Sequence, residues 1–241
     1  MNILLNKPSD YHECNNLNEN EEFKIRKEEN ITKEESVNFW REYYVKKNKY
    51  NESMIKIHDD IIPLPILQNI NNFCTEGVWK YNYSPFIHPE ETEYTIENIP
   101  EPIKCFSMNV INNRYFKSLF FNSILPKINI PNSDELIIDR AFITGQLHGL
   151  SQNFHKDERS SIKYGPSVYV FLNKLWKPYY DGSLVFILDD NEPTNTAHVE
   201  NNYGRMVIFP PNIYHKTCEI SAYGLVENAF NSILQYHLIY K

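Results

Sequence analysis

Apolar and polar positions are distributed differently in successive parts of the chain. Residues 1–58 are rich in Asn, Glu and Lys and hold few apolar positions, so we expect a polar, loosely attached N-terminal extension. Residues 59–130 contain two stretches with helical spacing, and from residue 131 onward the apolar positions fall in short runs typical of strands. The pattern predicts one folded domain over 59–241 behind the extension.

Two segments before residue 131 have the three-to-four spacing of a helix with one buried face. The first is predicted over Pro65–Cys74, with Gly77 placed to end it, and the second over Arg114–Ile128. Their apolar faces are formed by Ile66, Leu67, Ile70 and Phe73 in the first and by Phe116, Leu119, Phe120, Ile124 and Leu125 in the second. Within the extension, Thr32 and Glu35 have the spacing of a capping box, which predicts one short surface helix there.

Short apolar or aromatic runs, separated by Gly, Pro, Asn and Asp, follow Pro131. They cover 136–144, 166–173, 183–188, 205–209, 214–220 and 229–240. Strands at this spacing without intervening helices are typical of a sandwich or jelly roll. We therefore expect a mainly β fold with the two helices covering one outer face.

Composition and charge exclude several function classes. With 24 Lys and Arg against 31 Asp and Glu, the net charge of -7 gives no electrostatic footprint for nucleic acid. Cys14, Cys74, Cys105 and Cys218 are scattered without a CxxC pair, which indicates buried or free thiols rather than a zinc knuckle or disulfide framework. No signal peptide or roughly 18-residue apolar span is present, so we expect a cytoplasmic protein that binds neither nucleic acid nor membranes.

The run His155-Lys156-Asp157 is the strongest candidate for chemistry. In an extended segment, alternate side chains project to the same face, so the imidazole of His155 and the carboxylate of Asp157 converge while Lys156 points away. His215 opens a later strand, and two His with one carboxylate form the facial triad that holds non-haem Fe(II). The spacing alone is a weak signal among eight histidines. Asp157 as a turn-capping carboxylate and His215 as a hydrogen-bonded histidine are the alternatives.

The sequence around these residues resembles the iron(II)/2-oxoglutarate-dependent oxygenases, specifically their prolyl-4-hydroxylase-like branch. The matching pieces occur in the family's order from about residue 136 to the C-terminus. They are His155-Lys156-Asp157, the aromatic run Val168–Trp176 containing Leu-Asn, Asp-Gly-Ser-Leu-Val-Phe at 181–186, Gly-Arg-Met-Val-Ile-Phe at 204–209, and His215. The resemblance implies a double-stranded β-helix, that is, a jelly roll of the cupin-like type.

The resemblance also implies the chemistry. Fe(II) would be held by the catalytic residues His155, Asp157 and His215, with 2-oxoglutarate and O2 as co-substrates. Succinate and CO2 would be released while a C–H bond of the substrate is oxidised. The candidate contacts to 2-oxoglutarate are Tyr169, Phe171, Arg140, Asn231 and Gln235.

The distal carboxylate of 2-oxoglutarate lacks its usual partner in this sequence. The family meets it with Arg or Lys on the last core strand, because a desolvated carboxylate needs a charge-assisted partner. Between Thr217 and Tyr240 there is no Lys or Arg, and Phe230 or Asn231 stands at the matching position. Lys216 is adjacent to His215 and should therefore point to the opposite face.

Three interpretations of this difference remain open. In the favoured one, Arg140 or Lys174 supplies the cation from another strand, with Tyr169 or Gln235 donating hydrogen bonds. In the second, the co-substrate is another 2-oxo acid whose apolar tail lies beside the aromatic side chain of Phe230. In the third, the protein is a non-catalytic metal- or ligand-binding module.

Two neighbouring chemistries use related ligand sets. Iron halogenases of this type lack the carboxylate, so the presence of Asp157 argues against halogenation. A zinc hydrolase would use the same three ligands, but no further carboxylate or His has the spacing of its general base.

The substrate is the least determined feature. We expect loops 147–154 and 158–165 to form the mouth of the pocket, with aromatic and polar contacts from His148, Tyr164, Trp176, Tyr179 and Tyr180. The family acts on prolyl residues of proteins, free amino acids and other small molecules. A prolyl or other peptidyl residue is the leading hypothesis, and a free amino acid or metabolite is the alternative.

Overall fold

The computed structural model of the chain describes residues 54–81, 105–150, 152–157 and 164–241. All of them belong to one compact unit, Lys33–Lys241. The helix predicted at Thr32–Glu35 and the extension up to residue 53 lie outside the described residues. Lys56–His58, the last residues of the predicted extension, pair with Met206–Ile208 and so belong to the folded sheet, while the rest of the predicted boundary stays a prediction.

The elements are short and mostly extended. The strands are β1 (Lys56–His58), β2 (Lys80–Tyr81), β3 (Phe106–Asn109), β4 (Leu136–Gln146), β5 (Tyr164–Phe171), β6 (Leu184–Ile187), β7 (Thr196–Val199), β8 (Met206–Phe209), β9 (His215–Thr217) and β10 (Asn231–Tyr240). The α-helices are α1 (Leu64–Glu76), α2 (Arg114–Leu119) and α3 (Ala222–Val226).

Two antiparallel sheets form the body of the fold. The larger has the strand order β1-β8-β5-β10-β4-β3-β2, and the smaller has the order β7-β6-β9. The long strand β10 pairs with β4 on one side and β5 on the other, so it is the central strand of the larger sheet. This arrangement confirms the predicted mainly β, jelly-roll fold.

Alternation along the strands gives the larger sheet two buried faces. Tyr169 and Phe171 of β5 lie in a cluster between the two sheets, together with Phe186 of β6. The intervening Val168 and Val170 lie in a second cluster on the opposite face. The side chains that cover this opposite face include Ile70, Phe116, Phe120 and Ile124, all completely buried. The helical segments therefore cover the outer face, as the sequence predicts.

The second predicted helix is divided in the structure. After α2 the chain continues as a π-helical turn, Phe120–Ile124, and a 3-10 turn, Leu125–Lys127. Asn113 caps α2, its side chain accepting a hydrogen bond from the Tyr115 amide at 2.9 Å. Pro126 lacks the amide hydrogen that a continuing α-helix needs, which accounts for the change at the end of the segment.

Other boundaries differ in smaller ways. The first helix is confirmed and ends at Gly77, whose backbone is extended rather than left-handed. β7 was not predicted, because only Ala197 and Val199 are apolar in its four residues. β1 to β3 were also missed, since strands of two to four residues carry too few positions to show alternation.

The described cysteines are all unpaired thiols, as expected. They are Cys74, Cys105 and Cys218. Burial raises the pKa of Cys74 and of Cys105 to about 12, so both thiols are neutral and unreactive. No helix in the described ranges has the length and apolar character to cross a membrane.

Replacement of Ile70 by alanine tests the packing of α1 on the sheet. Ile70 is completely buried, so Ile70→Ala should lower the free energy of unfolding by about 2–5 kcal/mol through lost burial and a residual cavity. Gln68→Ala, on the exposed side of the same helix, should change it by less than about 0.5 kcal/mol. Urea denaturation measures both, and equal effects would contradict the packing described here.

Candidate metal centre

A pair of backbone hydrogen bonds between His155 and His215 brings the two parts of the predicted triad together. His155 and His215 form an isolated antiparallel bridge in which each amide donates to the other residue's carbonyl at 3.0 Å. Residues paired in this way have neighbouring side chains, and the two imidazole ring centroids are 4.5 Å apart. β9, which begins at His215, is held in turn by β6, where Phe186 pairs with His215.

The three predicted ligands converge. Ligand atoms of His155, Asp157 and His215 all lie within 4.8 Å of one another. Nε2 of His155 is 4.0 Å from Oδ1 of Asp157, and Nε2 of His215 is 3.6 Å from Oδ2. Adjacent ligands about 2.1 Å from a metal ion would be about 3.0 Å apart, so small side-chain rotations close the set around an ion.

Both imidazoles present Nε2 to the centre of this cluster. Nδ1 of His155 lies 2.9 Å from the carbonyl oxygen of Asn153, and Nδ1 of His215 lies 3.0 Å from that of Ile213. A carbonyl oxygen only accepts, so Nδ1 carries the proton and Nε2 keeps its lone pair. Burial, followed by the proximity of His215, lowers the pKa of His155 to about 4, which makes it neutral at pH 7.

Asp157 is buried and fixed at its backbone and its carboxylate. The Asp157 amide donates to the carbonyl of Pro211 at 2.7 Å, and Nη2 of Arg140 donates to the backbone carbonyl of Asp157, also at 2.7 Å. The hydroxyl of Ser167 donates to Oδ2 at 2.6 Å. Burial raises the pKa of this carboxyl, but His237, His215, His155 and Arg140 lower it by more. The pKa therefore lies below its ordinary value, and the group is ionised.

Sequence reasoning missed Ser167 and His237. In the strand register, Arg140, His237 and Ser167 lie directly opposite one another on β4, β10 and β5. Nδ1 of His237 is 3.3 Å from Oδ2 of Asp157, and its ring stacks on Phe142 at 5.1 Å. Burial lowers the pKa of His237 well below its usual value, so the ring is neutral. Only the cross-strand register reveals this row.

Tyr169 lies against two of the candidate metal ligands. Its hydroxyl is 3.1 Å from Nε2 of His215 and 3.3 and 3.2 Å from Oδ1 and Oδ2 of Asp157. Burial and the neighbouring Asp157 carboxylate raise the pKa of Tyr169, which keeps the phenol protonated in the absence of a metal. The predicted co-substrate contact is therefore also adjacent to the ligand set.

The other predicted contacts are spread along the interior. Asn231 accepts hydrogen bonds at 2.9 Å from the amides of both Asn173 and Asn201, and donates to the Gly182 carbonyl at 3.2 Å. Gln235 donates to the Thr144 hydroxyl at 2.8 Å, and its own oxygen is buried without a partner among the described residues. This end of the interior is lined by uncharged polar groups.

Arg140 and Asn231 lie at opposite ends of the interior, so they would contact different parts of a bound small molecule. Arg140 is opposite His237, six residues along β10 from Asn231, a separation of about 20 Å in a strand. Arg140 contacts Asp157 and lies 3.3 Å from Asp139, on the side away from the amide cluster.

Among the remaining candidates for the co-substrate pocket, Phe171 is completely buried between the sheets. Phe230 packs on Trp79, with ring centroids 5.0 Å apart. Of the neighbours Phe230 and Asn231, Asn231 is therefore the one that is fully buried in the interior. Lys174 is exposed in the turn after β5 and does not line the interior.

The lysines beside the ligands point away, as predicted. Lys156 is 3.3 Å from Asp190, and Lys216 lies over the ring of Phe154 at 4.7 Å.

The aromatic candidates for the pocket mouth make contacts within the chain. Trp176 donates to the Asp181 carbonyl at 2.8 Å, Tyr180 donates to Glu227, and Tyr179 packs edge-to-face on Tyr180. Nδ1 of His148 lies 2.6 Å from the carbonyl oxygen of Ile220. Tyr164 is at the start of β5, on the Arg140 side of Asp157. Loop residues 158–163, predicted to form part of the mouth, lie outside the described residues.

The chain was compared with protein families, curated proteins and solved structures. No protein-family model and no curated protein matches this sequence. Solved structures do match. An oxidoreductase of the 2OG-Fe(II) oxygenase family from Burkholderia pseudomallei is 12% identical with a TM-score of 0.56, over 88% of this chain and 92% of that chain.

Two further structures bind different molecules. A prolyl hydroxylase from Trichoplax adhaerens, in complex with a hypoxia inducible factor peptide, is 12% identical with a TM-score of 0.53, over 89% of this chain and 94% of that one. HygX from Streptomyces hygroscopicus, with nickel, 2-oxoglutarate and hygromycin B bound, is 9% identical with a TM-score of 0.54, over 83% and 87%. The chain therefore has the fold of the 2OG-Fe(II) oxygenases.

Replacement of Ser167 tests how the carboxylate ligand is held. Ser167→Ala removes the donor to Oδ2 of Asp157 and should weaken Fe(II) or Mn(II) binding about tenfold, as measured by anaerobic titration. Ser232→Ala is the matched control, because its hydroxyl bonds the Asn173 side chain at 3.1 Å in the amide cluster. Unchanged affinity in Ser167→Ala, or an equal loss in both variants, would contradict this role.

Proposed function

We propose that the protein is an Fe(II)- and 2-oxoglutarate-dependent oxygenase that hydroxylates an unactivated C–H bond. The observation that carries the proposal is the buried cluster of His155, Asp157 and His215, with both Nε2 atoms and an ionised carboxylate directed at one point. The jelly-roll fold and the order of motifs between residues 155 and 215 support the same conclusion.

The donor set fits a divalent cation. Two Nε2 lone pairs and a carboxylate face one another, and the Tyr169 hydroxyl offers a single proton to His215 and both Asp157 oxygens. Such an electron-rich, buried cluster is stabilised by a positive charge at its centre. Two imidazoles with one carboxylate, leaving positions open, are the ligands of non-haem Fe(II) oxygenases.

The residues of the chain would bind, orient and shield the reactants. A bound Fe(II) supplies O2 activation coupled to 2-oxoglutarate, so that one oxygen atom enters the hydroxylated product and the other enters succinate, with release of CO2. Ser167 and Arg140 hold Asp157 in place through its side chain and backbone. The apolar cluster around Phe171 and Phe186 excludes water from the interior.

A prolyl residue of a peptide or protein is the proposed substrate. The prolyl-hydroxylase-like order of motifs supports it, and one protein of the same fold binds a peptide. Incubation with proline-containing peptides, Fe(II) and 2-oxoglutarate should yield a product heavier by one oxygen atom in mass spectrometry. Oxidation of a free amino acid or other small molecule instead would keep the oxygenase chemistry and replace the substrate class.

Anaerobic titration with Fe(II) and 2-oxoglutarate tests the metal and co-substrate. A visible charge-transfer band should form only when both are present, because the 2-oxo acid must chelate the iron. Asp157→Ala should abolish the band through loss of a ligand, while Asp134→Ala, an exposed carboxylate, should keep it. Iron binding that does not depend on Asp157 would contradict the proposed site.

The uncharged lining near Asn231 favours a second candidate co-substrate, a 2-oxo acid with an uncharged tail. A hydrogen bond to a charged group is worth about 1.5–3 kcal/mol, so a pocket with a cation would prefer 2-oxoglutarate over 2-oxohexanoate by about 10- to 100-fold. Because amides and hydroxyls line this interior, we expect the two compounds to half-saturate the Fe(II) protein within about tenfold of each other. A larger preference for 2-oxoglutarate would indicate a cation in the pocket.

A further inference from the structure

We infer that the phenol oxygen of Tyr169 is a fourth protein donor to the metal in the protein without bound co-substrate. The inference rests on the proposed iron site and adds a ligand that the His-Asp-His motif does not contain. On coordination the phenol would release its proton to solvent and bind as the phenolate.

The distances around Tyr169 match those between adjacent metal ligands. Its oxygen lies 3.1 Å from Nε2 of His215 and 3.3 Å from Oδ1 of Asp157. Neighbouring donors of an octahedral ion with bonds of about 2.1 Å are about 3.0 Å apart. The triad's own separations are longer, at 3.6 and 4.0 Å. Tyr169 therefore fits an edge of the coordination shell at least as well as the predicted ligands do.

The packing of the ring keeps its oxygen beside the candidate metal ligands. Tyr169 is 2% exposed, in the middle of β5, opposite Gln235 on one side and Val207 on the other. Its ring packs edge-to-face on Phe209 and His215, with centroids 4.8 and 5.6 Å away. Displacing the oxygen by more than a small rotation would require these contacts to rearrange.

Metal binding changes what the hydroxyl can bond. Within the described residues, its hydrogen-bond acceptors are Nε2 of His215 and the two oxygens of Asp157. A metal takes the lone pair of Nε2 of His215, so the hydroxyl loses that acceptor. Coordination replaces the hydrogen bond that Tyr169 loses.

The number of coordination positions limits when Tyr169 can be bound to the metal. The triad fills three of six positions and Tyr169 a fourth, which leaves two for the oxygens of a 2-oxo acid. O2 then needs one more position, so Tyr169 must leave the metal during the co-substrate-bound part of the cycle. Oδ2 of Asp157, at 3.2 Å, remains within reach as its hydrogen-bond acceptor. We place this departure at the binding of the 2-oxo acid, so that Tyr169 and the co-substrate replace each other on the metal.

The ferric protein gives a direct readout of coordination by Tyr169. Protein loaded anaerobically with Fe(II) and oxidised chemically to Fe(III) should show a visible phenolate-to-iron charge-transfer band, with tyrosinate ring modes in the resonance Raman spectrum of the unsubstituted protein. Tyr169→Phe keeps the buried ring and should lose the band at equal iron content. Tyr236→Phe is the matched control, because this buried hydroxyl donates to the Phe116 carbonyl on the helix-covered face.

Competition is measured with the ferrous protein. Tyr169→Phe should lower the 2-oxoglutarate concentration that half-saturates the Fe(II) charge-transfer band by about fivefold, the equivalent of one hydrogen-bond-sized interaction no longer displaced. Tyr236→Phe should leave it unchanged. A rise in that concentration for Tyr169→Phe would make the hydroxyl a donor to the co-substrate and would overturn the competition.

Absence of the Tyr169 ligand and absence of the iron site would give different results. Iron bound through His155 and Asp157, with neither the ferric band nor the tyrosinate Raman modes in the unsubstituted protein, would overturn Tyr169 as a ligand and leave the oxygenase intact. Failure to bind iron at all would overturn the proposed function itself. The Raman measurement needs no variant, so the inference remains testable if Tyr169→Phe does not fold.

Discussion

The ionised carboxylate of Asp157, buried between the two sheets, is the constraint on which the rest of the site depends. An unpaired charge in a protein interior costs several kcal/mol, so such a group persists only where donors and cations surround it. Here the Ser167 hydroxyl, the Tyr169 hydroxyl and the nearby Arg140 guanidinium meet that need. They come from β4 and β5, strands joined through β10, so stabilising one carboxylate also fixes the relation between strands distant in sequence.

The same carboxylate explains why the candidate metal ligands lie at the junction of the two sheets. Asp157 is anchored by its amide to Pro211, and His155 is paired with His215, the first residue of β9 in the smaller sheet. The larger sheet supplies Ser167, Tyr169 and His237 from its inner face. A cation at this point would be bound by residues of both sheets, and its binding free energy would add to the stability of their association.

The two faces of the larger sheet differ in the residues that they bury. On the outer face of the larger sheet, apolar side chains such as Val168 and Leu234 meet the helical segments. On the inner face of β10, the polar residues Asn231, Gln235 and His237 lie at alternate positions, together with the apolar Ile233. The cationic Arg140 lies at one end of this polar row and the neutral amide cluster at the other. The interior is therefore electrostatically asymmetric along β10, and this asymmetry bears on which part of an anionic co-substrate can lie at each end.

The sequence by itself determined the alternation that makes the fold mainly β, the two helical segments, and the presence of an HxD pair on one face of an extended segment. These features depend on spacing within a few residues, which local geometry fixes. The resemblance of residues 155–215 to the oxygenase motifs added the partnership with His215. The absence of Lys and Arg from the last strand was also readable in advance.

Only the tertiary structure decided which side chains surround the ligands. The row of Arg140, His237 and Ser167 depends on the register of β10 against β4 and β5. The approach of Tyr169 to His215 depends on how β5 of the larger sheet faces β9 of the smaller one. Tyr169 and His215 are 46 residues apart in the chain, and Ser167 and His237 are 70 residues apart. A shift of one residue in the register of β10 would turn His237 to the opposite face. That register is set by the summed packing of both faces of the sheet, which no local pattern in the chain contains.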